Sequence, residues 1–367
     1  MKAITLCSAI TISLLCVGCS PKKIVDSKIA METIDFGSFR VVEGFIPEYV
    51  IKNKRFITLD TSQDDFLFGN IRKVKIVDDV VYILAWQPPR SYKLIVFDSN
   101  GLGIGKVGNV GRGPGEYLQI TDFDVNDAGD IYFIDGTGAP DRLFLFDKNL
   151  QYISVLEMPF EANLIHCLPN NKMLFGLATW NKGEFANQKT VVTNIQLEAE
   201  ASFLEYDAYI DHNFVISYDF FAQVNDKILY NTQTDNYIHQ FAIDGALEKS
   251  YYFDFGKKNI PDEDKKDIEG NWEKFQKHYC CLKNFAIINN KYIAGLLLHE
   301  GKTKSFLVER ETKTLNMIKE NISGFYKNQI ISVLSQDHID ILSEPLPISI
   351  QKHIENGGFV LCLYELM

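Results

Sequence analysis

Beyond its first twenty residues the chain has no Cys-x-x-Cys, and nowhere does it carry His-x-His, His-x-x-x-His or Gly-x-Ser-x-Gly. These absences remove the local spacings that drive thiol exchange or hold zinc, and the nucleophile elbow of a serine hydrolase. The seven histidines stand singly, so a metal site would need the fold to gather distant residues. Positive charge is scarce as well. With 37 Lys and Arg against 48 Asp and Glu, the net charge is −11, which argues against nucleic acid or an anionic membrane face as partner. Four cysteines follow Cys19, namely Cys167, Cys280, Cys281 and Cys362. A chain of this length buries a core without disulfides, and the adjacent Cys280 and Cys281 read as small buried apolar residues. Past residue 18 no apolar run approaches the roughly 20 residues that span a bilayer.

What is present begins with a leader. Lys2 is followed by an apolar stretch from Ala3 to Val17 and then Gly18-Cys19, the pattern of a secretory signal peptide over residues 1–18. Small residues before Cys19 resemble the cleavage box of a bacterial lipoprotein, with Cys16 in place of the usual Leu. Cys19 is then the lipidated N-terminus, and at about 0.8 kcal/mol per buried methylene several acyl chains hold the protein on its membrane. Ser20 after Cys19 and the want of an acidic run place it as an outer-membrane lipoprotein facing the periplasm. Residues 19–45 read as a polar tether and lead-in, and 46–367 as the folded body.

The body carries a repeat. Val81-Tyr82-Ile83 leads to Phe97-Asp98, Ile131-Tyr132-Phe133 to Phe146-Asp147, and Leu229-Tyr230 to Ile243-Asp244, with the tyrosines 50 and 98 residues apart. A period near 49 built of short β-type runs and turns predicts propeller blades. Weaker copies at Lys172–Leu177, Lys291–Leu297 and His338–Leu342 bring the number to six. The fold class is therefore all-β, a six-bladed β-propeller. A charged stretch from Pro261 to Tyr279 with Ile268, Trp272 and Phe275 at helical spacing predicts a short helical insertion near residues 261–279. It packs on the blades or serves as a contact for a partner. The apolar run Phe359–Tyr364 has no outgoing connection, and pairs with the region Tyr49–Leu59 to close the ring.

Gly103-x-Gly105-x-x-Gly108 has the spacing of a dinucleotide fingerprint, with Asp124 downstream, yet no helix can start there. The glycines run on into Gly111-Arg112-Gly113-Pro114-Gly115-Glu116-Tyr117, which cannot be a helix interior, and they do not lead into a P-loop Gly-Lys-Ser/Thr. With the leader, Asp122-Phe123-Asp124, Ile131–Asp135 and Asp254-Phe255-Gly256-Lys257, this segment resembles the six-bladed β-propeller lipoproteins of Bacteroidota-type bacteria, relatives of NHL-repeat propellers. The resemblance implies a propeller and an envelope location, and supplies no catalytic residues.

Strands of a blade alternate in direction, so second-to-third loops and the crossings between blades open on one face, which commonly holds a propeller's ligand. Taking Val80–Leu84 and Ile131–Asp135 as second strands puts Trp86, Gln87, Arg90, Asp141 and Arg142 on that rim, joined by Arg112, Glu116 and Tyr117. Aromatic, guanidinium and carboxylate groups together suit a polar small molecule, glycan or peptide. Equally, Arg112 and Glu116 can pair with each other or with neighbouring blades while the glycines make a tight crossing, and Trp86 and Trp180 can be blade packing. The expected function is a lipid-anchored ligand-binding or interaction module whose partner is such a ligand or an envelope protein, with no cofactor or metal. The alternative is a metal-dependent lyase or hydrolase of the six-bladed type acting on a sugar, lactone or peptide.

Overall fold

The computed structural model describes residues 29–87, 91–207, 211, 221–231, 235–337 and 345–367. The leader, Cys19, Arg90 and residues 338–342 lie outside them. Among the described residues, no helix is long and apolar enough to cross a membrane.

Six antiparallel sheets form a six-bladed β-propeller. From the axis outward, blade one runs Ile71–Val77, Val80–Gln87, Ser91–Phe97 and Gly103–Val107. Blade two is Asp122–Val125, Ile131–Asp135, Arg142–Phe146 and Tyr152–Glu157. Blade three is Ala162–Leu168, Lys172–Leu177, Gln188–Asn194 and Ala199–Glu205. Blade four is Ala222–Val224, Lys227–Asn231, Tyr237–Ala242 and Leu247–Asp254. Blade five is Cys280–Ile287, Tyr292–His299, Lys302–Glu309 and Thr314–Ile318. Blade six is Ile322–Tyr326, Gln329–Leu334, Phe359–Leu366 and, outermost, Ile51–Leu59. Its second strand is thus Gln329–Leu334, upstream of the weak copy expected at His338–Leu342.

The repeat has a physical basis at both ends. Its tyrosines, Tyr82, Tyr132 and Tyr230, sit on second strands and are buried, 5%, 4% and 3% exposed, because stacked blades cover both faces of a middle strand. That is why these strands read as continuous apolar runs, with Ile131–Asp135 buried throughout. The Asp that follows each third strand makes the turn. Asp98 Oδ1 accepts from the N–H groups of Asn100 and Leu102 at 2.8 and 2.9 Å, and Asp147 Oδ1 from those of Asn149 and Gln151 at 2.9 and 2.8 Å. Asn194 does the same in blade three. A short side-chain acceptor satisfies turn donors that no ladder can reach.

The ring closes as the sequence suggests: Phe359–Leu366 pairs antiparallel with Ile51–Leu59, Cys362 facing Phe56 and Leu363 facing Arg55. Part of the expected lead-in also joins the sheets. Ala30–Asp35 adds a parallel fifth strand to blade four and Arg40–Gly44 one to blade five. Glu32 clasps the two blades, meeting Lys249 at 2.6 Å and also Arg310.

A single 3-10 turn, Gly256–Lys258, precedes the insertion, which folds as a second such turn, Asp264–Lys266, and one six-residue helix, Trp272–Lys277. Phe275 and Ile268 are fully buried against Ile260 and Cys281, so its apolar face packs on the blades. A second helix, Ile348–Glu355, lies between the last two strands of the chain and buries Ile354. Its spacing is too short and too mixed to be read from the sequence. The four cysteines form no disulfide, and burial raises the Cys280 thiol to about 11.

Candidate functional site

The innermost strands place alternating residues toward the axis, since side chains of a strand point to one side at every second position. In blade one these include Lys73 and Lys75, in blade two Asp122 and Asp124. Two parallel relays result. Lys73 Nζ donates to Asp122 at 2.6 Å, and the other Asp122 oxygen accepts from the Ile165 N–H of blade three at 3.0 Å. One step along, Lys75 Nζ donates to Asp124, whose second oxygen accepts from the Cys167 N–H at 2.7 Å and meets His166 Nδ1 at 3.1 Å. Asp122 and Asp124 are fully buried and His166 is 3% exposed. Three blades are thereby stitched at the axis by paired charges, which are tolerated there because each carboxylate is both ion-paired and hydrogen-bonded. Burial by itself raises the Asp124 carboxyl, but Lys75 and then His166 overcome it and hold it far below the carboxylate range. Burial pushes the His166 imidazole down, against the pull of Asp124.

Beside this network, one mouth of the channel holds a cavity of about 280 Å³. Its wall includes Lys75, Asp124 and His166 at depth, Phe221 and Tyr326 at the sides, and Asn225 at the rim. Nε2 of His166 is buried and has no hydrogen-bond partner among the described residues.

The described residues of the rim expected from the sequence are at the opposite mouth, and none of them lines this cavity. The structure ties several of them into the fold. Tyr117 is 1% exposed and meets Phe133 edge-on at 5.2 Å. Arg112 is exposed, and the Glu116 carboxylate accepts from the Gly113 N–H at 2.7 Å. Gly111 N donates to Tyr117 O at 2.9 Å, and Gly115 has a φ of +75°, so the glycine-rich segment is a closed crossing that needs glycine at that turn. Arg142 donates to buried Asp135 at 2.6 Å, and Asp135 also accepts from Leu118 N–H at 2.9 Å, which joins second-to-third loop and crossing as the topology requires. Trp86 packs edge-on against Tyr92 at 5.2 Å. Gln87 ends the second strand of blade one, and Trp180, 40% exposed, donates to Glu161.

Asp141 is 5% exposed and accepts from the Ala162 N–H at 3.1 Å. Burial, against that hydrogen bond and aided by Glu161, pushes its carboxyl up to about 6. An unfolded Asp titrates near 3.9, so between these values the folded chain holds a proton the unfolded chain has lost, and stability falls as pH rises through 6. Asp141→Asn keeps the acceptor and removes the charge. With solvent near the carboxyl reducing the full effect, the variant gains about 1–2 kcal/mol at pH 8 and nothing at pH 4. Urea unfolding at the two pH values measures this; an equal gain at both refutes it.

The charge relays escaped sequence reasoning. Their signal was present as Lys73-x-Lys75 and Asp122-x-Asp124, like charges at period two inside apolar strands, but the partner of each was set by blade order.

Comparison with solved structures gives a TM-score of 0.70 with a protein described as exported, from Bacteroides fragilis, at 14% identity over 89% of this chain and 100% of that one. A DUF4221 family member from Bacteroides vulgatus matches at TM-score 0.50 and 9% identity, over 87% of this chain and 98% of that one. Virginiamycin B lyase from Staphylococcus aureus reaches only 0.46 at 10% identity, over 84% and 98%, too distant to bear on chemistry. At these identities the likeness shows the fold. No curated protein matches the chain. A family model does match, over residues 47–346 and hence most of the propeller, so the chain belongs to the family described as Domain of unknown function (DUF4934).

Proposed function

We propose that this protein is a lipid-anchored binding module of the cell envelope, held through Cys19 to the outer membrane on its periplasmic side, with a polar ligand seated in the channel cavity. The observation that carries the reading is the cavity itself. It is concave and lined by aromatic side chains, amides and a few charged groups, the composition of a small-molecule site. Its position at the axis lets five blades contribute to one wall, so binding and ring geometry are coupled.

Thermal-shift measurement on the body Ser20–Met367 tests the site with a panel of neutral sugars, acidic sugars, short peptides and divalent cations. A compound that raises the melting temperature of the parent is expected to lose its effect in the cavity-filling Asn225→Trp. No shift from any compound overturns the reading. A shift that survives Asn225→Trp but fails in Arg112→Ala/Glu116→Ala moves the site to the opposite rim, and a stoichiometric divalent cation bound in the parent favours the metal-dependent enzyme. The anchor is tested by metabolic labelling with an alkynyl palmitate, expected in the parent and lost in Cys19→Ala; label retained in that variant sinks the lipoprotein assignment.

A further inference from the structure

The outermost strand of a blade presents a row of unpaired N–H and C=O groups, and a protein that stays unpaired there covers the edge or charges it. Most blades of this ring do so. Blades four and five are covered by Ala30–Asp35 and Arg40–Gly44. At blade one the 3-10 turn Asp64–Phe66 lies against the outer strand, with Asp65 ion-paired to Lys106 at 2.8 Å. The outer strand of blade six exposes Lys52, Asn53 and Arg55, and that of blade three only Glu200 and Glu205.

Tyr152–Glu157, the outer strand of blade two, has neither kind of protection. No strand among the described residues pairs with its free edge, and it contains no Lys, Arg, Pro or Gly. Tyr152, Ile153, Val155 and Leu156 are between 38% and 52% exposed. Val155 and Leu156 are consecutive and so point to opposite faces of the sheet, which lets an added strand bury apolar groups on both. A bare run of this composition pairs readily with another strand.

Blade four shows what such an edge accepts. Its outer strand has a bulge at Glu248, and Ala30–Asp35 pairs in parallel with Lys249–Asp254, the residues beyond the bulge. Blade two has the same bulge, at Ile153, and leaves Ser154–Glu157 beyond it. In blade four the added strand brings Glu32 to Lys249 of the outer strand at 2.6 Å. In blade two the charge is reversed. Exposed Glu157 lies opposite Arg142, whose guanidinium is given to Asp135 at 2.6 Å, and among the described residues Glu157 has no ion pair. Its complement is a cation. A second copy would bring the same carboxylate and the same net charge of −11, so charge favours a different chain.

We propose that the free edge of blade two docks an extended segment of another polypeptide as a parallel fifth strand, with branched apolar residues and a Lys or Arg that meets Glu157. This surface is separate from the channel cavity, and the proposal does not depend on a ligand there.

The test uses the Ser20–Met367 body and fluorescein-labelled dodecapeptides of Val, Ile and Thr with one central Lys, beside the same peptides with Glu in place of Lys. Fluorescence anisotropy is expected to show the Lys peptide bound about tenfold more tightly than the Glu peptide, with amide exchange slowed among Ser154–Glu157. Glu157→Lys reverses that preference, and Val155→Lys weakens both peptides about tenfold. Should Val155→Lys fail to fold, Glu157→Lys, at an exposed end of the strand, carries the test alone. No binding by the Lys peptide, or binding that neither variant changes, overturns the proposal. A preference that Glu157→Lys leaves unreversed overturns the cationic partner. A body that sediments as a dimer and becomes a monomer in Val155→Lys also overturns it, because the edge is then filled by a second copy.

Discussion

A chain ending at Gly358 will show no cooperative unfolding transition. The segment it lacks, Phe359–Met367, is the third strand of blade six and lies between Gln329–Leu334 and Ile51–Leu59. Val360, Leu361, Cys362, Leu363, Tyr364 and Leu366 in it are at most 2% exposed. At roughly 1.5–3 kcal/mol for each large apolar side chain, their removal costs about as much as the 5–15 kcal/mol that holds a typical domain together. The loss also opens two sheet edges and breaks the single link by which the N-terminal strand completes the ring. Circular dichroism through a thermal ramp, with the chain lacking only the exposed Met367 as control, decides it. A sharp transition in the truncated chain would mean that five blades suffice, and that closure adds little.

Asp124→Ala will lower the unfolding free energy by about 3–5 kcal/mol at pH 7, because it leaves the Lys75 ammonium, the Cys167 N–H and His166 without their shared acceptor at the axis. The double variant Lys75→Met/Asp124→Leu, which replaces the pair by apolar groups of similar volume, is expected to recover the part of that loss due to the stranded ammonium, while the Cys167 N–H and His166 stay without an acceptor. The pH dependence has a definite sign. Since the folded Asp124 carboxyl lies well below its unfolded value, its contribution is complete above pH 4 and declines as pH falls further, so parent and Asp124→Ala converge in acid. Urea titrations at pH 7 and pH 3 measure the convergence. A difference under 1 kcal/mol at pH 7, or one that grows in acid, would show that the relay is not an ion pair in the folded protein.

The elements that were legible share one property: their signals are local. Tyr82, Tyr132 and Tyr230 mark second strands because a strand buried on both faces must be apolar throughout, and Asp98 and Asp147 mark turns because an Asx turn needs only residues two and four positions ahead. Glycine spacing at Gly111–Gly115 likewise announced a crossing. Where blade lengths differ, the period blurs, and Gln329–Leu334 was displaced in the reading by the residues that follow it. The outer strands Ala30–Asp35 and Arg40–Gly44 were hidden for another reason. They are stabilised by a parallel edge and by the Glu32 contacts to Lys249 and Arg310, more than 200 residues away.

By itself the sequence determined the period, the number of blades, the closure of the ring by its last strand and the place of the insertion. It could do so because hydrophobic alternation and turn chemistry act within a dozen residues. The tertiary structure alone decided which charges meet. Lys75, Asp124 and His166 come from three blades and are joined by the curvature of the ring, so no spacing along the chain encodes their contact. It also set where the cavity beside Lys75, Asp124 and His166 lies, since that depends on how first strands converge at the axis and not on spacing along the chain.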